Sequence, residues 1–549
     1  MGSHFTGRRG ARARVAESVG RESLVGNGAH VEAAEHARRI PERPARRVRE
    51  ERRRWAVGSG CPPRGRNPNA PLAREVTCEY DRCICREEGR VEPSLDMRSS
   101  SVTRRSAAWS AVVGLVLCLL SARTACADSA TIVDETLQRL PKPETYRLKN
   151  GLTVCIQPLP SQSQVAVVVA YRIGSRDDPP GRPGLAHLVE HMTYRGSRHM
   201  EAYDAFPLLE SEGGMIRGQT MPDRTVYASL VPAAALPRAL WIESERIAFT
   251  MERFSAASLD AERRLIEGER KVSQSNQRDF DVRVTRGLFG EGHPYSPPLD
   301  ISAYLNEFGV DDVRDFYRRG YRPENAVLVI AGGVDVGFAR EQVERYFGSV
   351  RSSGSAPARS VPDVAPKSSH GLRIEYGGVE EMLGARWVVP NPSTRERTEL
   401  KLLALMLKNR LDRTVVAANR ARSVIVASDS LAPCEVFAID ANLSLDEAAG
   451  PFELELGRQL DLFWGSNIDA ELDEVKEQAG LAGVLMLEQP LKLAMASAGE
   501  LDLVGRAFDV AERASLVRSI SSGDVKALRA RLVRPMYARL QRRSPRAAR

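Results

Sequence analysis

The sequence predicts an α+β protein with two folded domains, and three observations carry this. At 549 residues the chain is too long for one hydrophobic core, so two or three domains follow. Apolar runs of strand length, such as "NAVLVIAGGV" (325–334), alternate with longer stretches of helical period. "RSSGSAPARSVPDVAPKSSHG" (351–371), rich in Ser, Pro and Ala, interrupts that pattern and marks a linker.

Taken in order, residues 1–96 are arginine-rich and show neither strand nor helix periodicity, so a disordered or non-expressed extension is expected. Their Cys78, Cys83 and Cys85 have spacings that fit no common zinc arrangement. From Met97 the chain reads "MRSSSVTRRSAAWSAVVGLVLCLLSARTACADSA". Arg98, Arg104 and Arg105 precede an apolar run from Ala107 to Ala122, and a small-residue exit ends Ala125-Cys126-Ala127. This is the anatomy of a signal peptide over 97–127, and the run is shorter than the roughly 20 residues a stable span needs. Because signal peptides stand at the N-terminus, translation from Met97 and cleavage after Ala127 are expected. The mature chain would then be exported, periplasmic or secreted, with no transmembrane span. A lipid anchor at Cys126 is the weaker alternative, because Arg123 sits where an aliphatic residue is wanted.

The sequence pI near 9.1 invites a nucleic-acid reading, so the location of the charge matters. Residues 1–127 hold 24 arginines, no lysine and 14 acids, whereas the remainder has 55 bases against 57 acids. The basic balance belongs to the extension, and no nucleic-acid partner is expected of the folded part. That part keeps two cysteines, Cys155 and Cys434. Two free thiols in separate domains are expected, although an oxidising compartment would allow one disulfide.

A domain over 128–350 contains "GLAHLVEHMTYRGS" (184–197), which holds two of the chain's eight histidines. Residues four apart share a helix face, so His187 and His191 stand side by side with Glu190 next to them. Two neutral imidazoles suit Zn2+, and an adjacent carboxylate can take a proton from water. The plain alternative is an amphipathic helix whose histidines satisfy local hydrogen bonds, and the pentapeptide arises by chance in on the order of 1% of such chains. A third ligand is needed. "LDAERRLIEGERKVSQ" (259–274) reads as a helix in which Leu265, Ile266 and Val272 flank Glu269 on one apolar face. Glu262, almost two turns earlier, shares that face, while Glu267 points about 160° away toward a basic side. A buried carboxylate needs a partner or a metal, so Glu269 is assigned to the metal and Glu262 to its support.

His-x-x-Glu-His, Glu262-Arg263 and Glu269 match the pitrilysin or insulinase-type zinc peptidases in order and spacing, and the chain resembles that family, which includes the mitochondrial processing peptidase. The segments 149–197 and 293–350 are similar to its opening strand pair and its downstream helix–strand–helix. The resemblance is strong over 132–350 and holds in outline over 370–540. It implies two similar domains, each a mixed, mostly antiparallel sheet packed with helices. It also implies Zn2+ on His187, His191 and Glu269, Glu190 as catalytic base, a functional Glu262, and a peptide as substrate.

The second domain, 372–549, fits the same outline. "LRIEYGG", "ARWVVPNP" and "CEVFAIDANL" read as strands, and "TELKLLALMLKNRLDRTV", "FELELGRQLDLFWG" and "DAELDEVKEQAGLAGVLMLE" as helices. "RPMYARLQRRSPRAAR" (534–549) reads as a basic tail with mobile last residues. Two departures from the family stand out. Arg217 and Gly218 replace an asparagine and its neighbour at the substrate edge, while Asp223, Thr225 and Tyr227 remain. The second domain also lacks the arginine and tyrosine that meet the substrate carbonyl, because their places fall on Val416 and Ser423. Some family enzymes split these parts between subunits, so a heterodimer is expected in which a second family subunit supplies Arg and Tyr. A non-catalytic assembly subunit is the alternative, although such relatives usually lose the metal ligands. His199 and His293 are expected in turn or surface roles, and Phe316, Tyr317, Tyr321, Tyr346 and Phe347 in the core.

Overall fold

The computed structural model describes residue 137 and residues 139–542, apart from 273–275, 299, 357, 367–370 and 377–380. The extension, the signal peptide, Cys126 and the three cysteines at 78, 83 and 85 lie outside the described residues.

One sheet is built from β1 (Glu144–Arg147), β2 (Thr153–Pro158), β3 (Gln164–Tyr171), β4 (Met215–Thr220), β5 (Thr225–Pro232) and β6 (Ala326–Gly332). Its order is β1-β2-β6-β3-β5-β4, with β2 and β6 parallel and every other pair antiparallel. Strands β3 and β6 read as unbroken apolar runs because both their faces are covered. The faces differ in size. Val165, Val167, Val169 and Tyr171 meet α1 (Leu185–Met192), α2 (Leu236–Phe249), α3 (Ala256–Val272) and further helices on one side. Ala166, Val168 and Ala170 form part of the other, flatter side. Three more helices of this half follow: α4 (Asn276–Phe289), α5 (Val310–Gly320) and α6 (Val336–Phe347). Phe316, Tyr317, Tyr321 and Phe347 are buried as expected, with Tyr346 packed against them.

A second sheet contains β7 (Leu372–Tyr376), β8 (Met382–Pro390), β9 (Ala421–Leu431), β10 (Cys434–Leu443) and β11 (Met536–Arg542), in the order β7-β11-β8-β10-β9. Here β7 and β11 are the parallel pair. With β1 set aside, this is the connectivity of the first sheet over again, so the two halves are one α+β plan used twice. The helices α7 (Thr394–Leu411), α8 (Ala449–Gly465) and α9 (Asp469–Leu487) line one face through Leu400, Leu403, Phe452, Phe463 and Val475. Strand β11 corrects the expectation for 534–549. Met536, Ala538 and Leu540 alternate into the core, a period-two signal that the surrounding arginines hide in the sequence. Residues 543–549 lie outside the described residues.

The remaining face of each sheet is closed by the other half. Helices α10 (Pro490–Val504) and α11 (Val510–Ser519) place Leu493, Ala494, Ala498, Leu501 and Val510 against Ala166, Val168, Ala170 and Val329 of the first sheet. In return, α4 sets Phe280, Val284, Leu288 and Phe289 against Ile374, Met382, Met536 and Ala538 of the second. Polar contacts lock this exchange. Asp502 of α10 takes Arg172 and Arg224 at 3.1 Å each. Asp223, in the β4–β5 turn, receives the Tyr295 hydroxyl and Arg176 at 2.8 Å and the backbone N–H of Ala432, in the β9–β10 turn, at 2.9 Å. Arg359 donates to the Asp223 carbonyl at 2.7 Å and Val364 is buried, so the Ser/Pro/Ala-rich stretch is pinned along the body. His293 has a turn role, as expected, with Nε2 2.8 Å from the Asp363 carbonyl and Nδ1 accepting from Tyr295 N–H. Cys155 and Cys434 are buried free thiols on different sheets. Among the described residues no helix is long and apolar enough to cross a membrane.

Helix α1 begins sharply. Gly184 precedes it at φ 107°, a left-handed conformation that favours glycine, and the Asp178 carboxylate accepts from the Gly184 and Ala186 N–H groups at 2.7 Å. Two predictions follow from these features. A fragment ending at residue 350 lacks α10 and α11, so its sheet keeps one apolar face open. It should be aggregated or non-cooperative in urea, and recover a cooperative transition only when refolded together with 351–549. The second concerns pH. Burial outweighs the two backbone hydrogen bonds and pushes the Asp178 carboxyl from 3.8 up to about 7. The unfolded chain ionises first, so on this account the wild type loses stability as pH rises from about 4 to about 7, on the order of 4 kcal/mol. The stability of Asp178→Asn relative to wild type, read by urea titration, should grow over that interval and then level off.

Candidate metal centre

The chemistry-bearing side chains come from α1, α3 and the edge strand β4. Helix α1 buries Leu185, Leu188, Val189 and Met192, and this turns His187 and His191 together toward α3, ring centroids 4.8 Å apart. Helix α3 buries Leu259, Glu262 and Ile266 at one-face spacing. Glu269 continues that face one turn beyond the core. Its Oε2 lies 3.5 Å from His191 Nε2 and 3.9 Å from His187 Nε2, and one donor atom from each of the three residues falls within 4.8 Å of the others. Donors in tetrahedral zinc sites, with bonds of about 2.0–2.2 Å, stand about 3.4 Å apart. Two nitrogens and one carboxylate oxygen at these separations therefore fit zinc with a small contraction.

One expectation needs correcting. Glu269 is not in the middle of a buried stripe: its side chain is 55% exposed, and Leu265 is 47% exposed. Leu259, Glu262 and Ile266 pack inward, whereas Glu269, one turn beyond Ile266, is exposed. Glu267 is exposed, as expected.

Glu262, on the same helix face, is fully buried. Its Oε2 stands 3.2 Å from His191 Nδ1. An ionised carboxylate only accepts, so Nδ1 carries the proton and the Nε2 lone pair is turned toward Glu269 and His187. The other oxygen receives the Tyr203 hydroxyl at 2.6 Å and lies 3.4 Å from Arg195. Burial works against a charge on His191, yet Glu262, Glu269 and Glu190 together hold its pKa above the usual histidine value. That surplus of carboxylates suits a cation.

Glu190 is buried on the β4 side of α1. Thr220 donates to its Oε2 at 2.6 Å, and burial, the largest influence, raises its pKa above the ordinary glutamate value. Gly218 makes room for it: a Cβ at 218 would lie 2.5 Å from Glu190 Oε1 and 2.8 Å from the Tyr194 hydroxyl. A side chain at this departure from the family pattern would push the Glu190 carboxylate and the Tyr194 hydroxyl aside. Arg217, its neighbour, is exposed on β4.

Beneath α1 lies a polar layer that the sequence reading did not identify. Thr193 caps the helix by donating to the Glu190 carbonyl at 2.7 Å. Arg246 in turn donates to Thr193 Oγ1 at 2.8 Å, pairs with buried Glu243 at 3.0 Å, and lies over the rings of Tyr227 and Tyr194 at 4.0 and 4.6 Å. The only sequence signal was charge, "ESER" (243–246), at positions of helical period that should be apolar. His199 pairs with Glu245 at 2.8 Å, away from the metal donors. In the second half, Val416 packs against the core, and Ser423, on β9, accepts from Asn442 at 3.0 Å.

Comparison with known proteins places the chain in a family. Residues 153–287 match the description "Insulinase (Peptidase family M16)" and residues 307–449 match "Peptidase M16 inactive domain". An "Uncharacterized zinc protease" of Rickettsia bellii is 29% identical over 219 residues, 39% of this chain and 53% of that protein. "Zinc protease PqqE" of Helicobacter pylori is 27% identical over 279 residues, 49% of this chain and 61% of that protein. The chain thus spans little more than half the length of these relatives. The crystal structure of a protease from Helicobacter pylori superposes with a TM-score of 0.67 at 21% identity, covering 73% of this chain and 100% of the other. The chain belongs to the insulinase-type peptidases, family M16.

Proposed function

We propose that the protein is a zinc-dependent endopeptidase that hydrolyses peptides or unfolded segments, and that it is the zinc-bearing subunit of a heterodimer. The observation that carries the first part is the convergence of His187, His191 and Glu269 from two helices, with Glu190 buried beside them. His187, His191 and Glu269 would hold the zinc, which when bound would supply a Lewis acid able to acidify water and polarise a peptide carbonyl. Glu190 accepts the proton of the attacking water and returns it to the leaving amine. Burial raises its basicity, Thr220 fixes one of its oxygens, and Gly218 leaves space at the other. Glu262 holds the proton on His191 Nδ1. By the same reading the mature chain works after export.

The heterodimer rests on Val416 and Ser423. A half-buried valine packed against the core and a short hydroxyl engaged by Asn442 cannot donate to a substrate carbonyl as an arginine and a tyrosine would. A second family subunit that brings those two side chains would complete the site.

The first test is metal analysis together with a peptide-library digest. One equivalent of zinc and chelator-sensitive cleavage are expected; cleavage unaffected by metal removal would sink the assignment. Glu190→Gln should keep zinc and lose hydrolysis by about 100-fold or more, whereas His191→Ala should lose both. Purified alone, the chain should cleave at least about 100-fold more slowly than when mixed with its host partner. Full turnover by the isolated chain would rule out the divided site.

A further inference from the structure

We propose that Tyr203 is a positioning residue for the metal centre, which it serves by fixing Glu262 against His191. The proposal rests on the metallopeptidase reading and names a residue that no motif in the chain points to.

Glu262 is a fully buried carboxylate with two oxygens to satisfy. One faces His191 Nδ1 at 3.2 Å. The other accepts from the Tyr203 hydroxyl at 2.6 Å, with Arg195 standing farther off at 3.4 Å. Tyr203 makes this contact from φ 65°, a left-handed conformation that side chains larger than Asn or Asp rarely adopt. Three contacts hold it there. Its N–H donates to the Tyr194 carbonyl at 2.7 Å, tying it back to the residues that follow α1. The Arg195 guanidinium lies 5.6 Å from its ring centroid, and Phe206 6.2 Å. A strained backbone at the one aromatic residue that reaches Glu262 places the strain where it sets a ligand's orientation. Without the hydroxyl, Glu262 keeps only the more distant Arg195 on that side and is free to turn. His191 then loses the partner that fixes its tautomer and ring angle.

The test uses the full chain with zinc, a competing chelator, and Co2+ as a spectroscopic substitute. Tyr203→Phe removes only the hydroxyl. Tyr203→Asn suits the left-handed backbone but is too short to reach Glu262, so it relieves the backbone while removing the same contact. Both should lose zinc affinity by about 10-fold or more and change the visible absorption of the Co2+ form, whatever the metal-free protein loses in melting temperature from the weaker hold on the buried Glu262 carboxylate. A purely structural tyrosine would lower the melting temperature and leave metal affinity unchanged, and that result overturns the proposal. So does either variant, folded, that holds zinc against the chelator as wild type does. A wild type that takes up no zinc defeats the metallopeptidase reading and this proposal together. Variants that match a zinc-binding wild type defeat the role of Tyr203 alone.

Discussion

Everything in the molecule depends on each sheet borrowing its second cover from the opposite half. A sheet with two apolar faces has to be closed on both sides, and the flat alanine-lined side of the first sheet is closed by α10 and α11. The aromatic side of α4 does the same for the second sheet. The first sheet is therefore covered behind α1 by residues about three hundred positions away. The repeated strand order makes this exchange symmetric: α4 and α10 occupy corresponding places in the two halves, and each crosses to the other side.

The sheet so covered carries an expensive region. Between α1 and the sheet lie Arg246 and Glu243, both almost fully buried, with Tyr171, Tyr227, Tyr317 and Tyr321 stacked around them. Buried ion pairs are rarely stabilising on balance. This one is satisfied on several sides: Arg246 donates to Thr193 and faces two aromatic rings, and its carbonyl accepts from Tyr317. Its cation also sits at the C-terminus of α1, the favourable end of the helix dipole. The last turn of α1, which carries Glu190 and His191, is thus held by hydrogen bonds and charge as well as by packing.

The fold and the clustering of the candidate metal donors were legible in the sequence for one reason: both leave short-range signals. Helical spacing put His187 beside His191 and Glu262 in line with Glu269, and unbroken apolar runs marked β3 and β6. What failed to show was set by partners distant in the chain. The tail at 534–549 looked basic because Arg534, Arg539, Arg542 and the arginines after them outweigh Met536, Ala538 and Leu540, and only the slot between β7 and β8 makes that a central strand. Exposure at Glu269 depends on where α3 overruns the core, which periodicity does not report. Tyr203 and Arg246 act through contacts 59 and 53 positions away in sequence. Arg217 and Gly218 were visible as departures, but the reason for the glycine, the carboxylate pressed against it, needed coordinates.

Asp223 gives the junction of the halves a particular character. One carboxylate serves Arg176, the Tyr295 hydroxyl and the N–H of Ala432 at the tip of the β9–β10 hairpin. It sits three residues beyond Thr220, which grips Glu190. Sliding the hairpin away would take the Ala432 N–H from a buried carboxylate that keeps Arg176 and Tyr295, a loss on the order of 1–3 kcal/mol. The two lobes are therefore keyed to one another like a tenon in its socket, and the border of the candidate metal centre inherits its alignment from the far half of the chain.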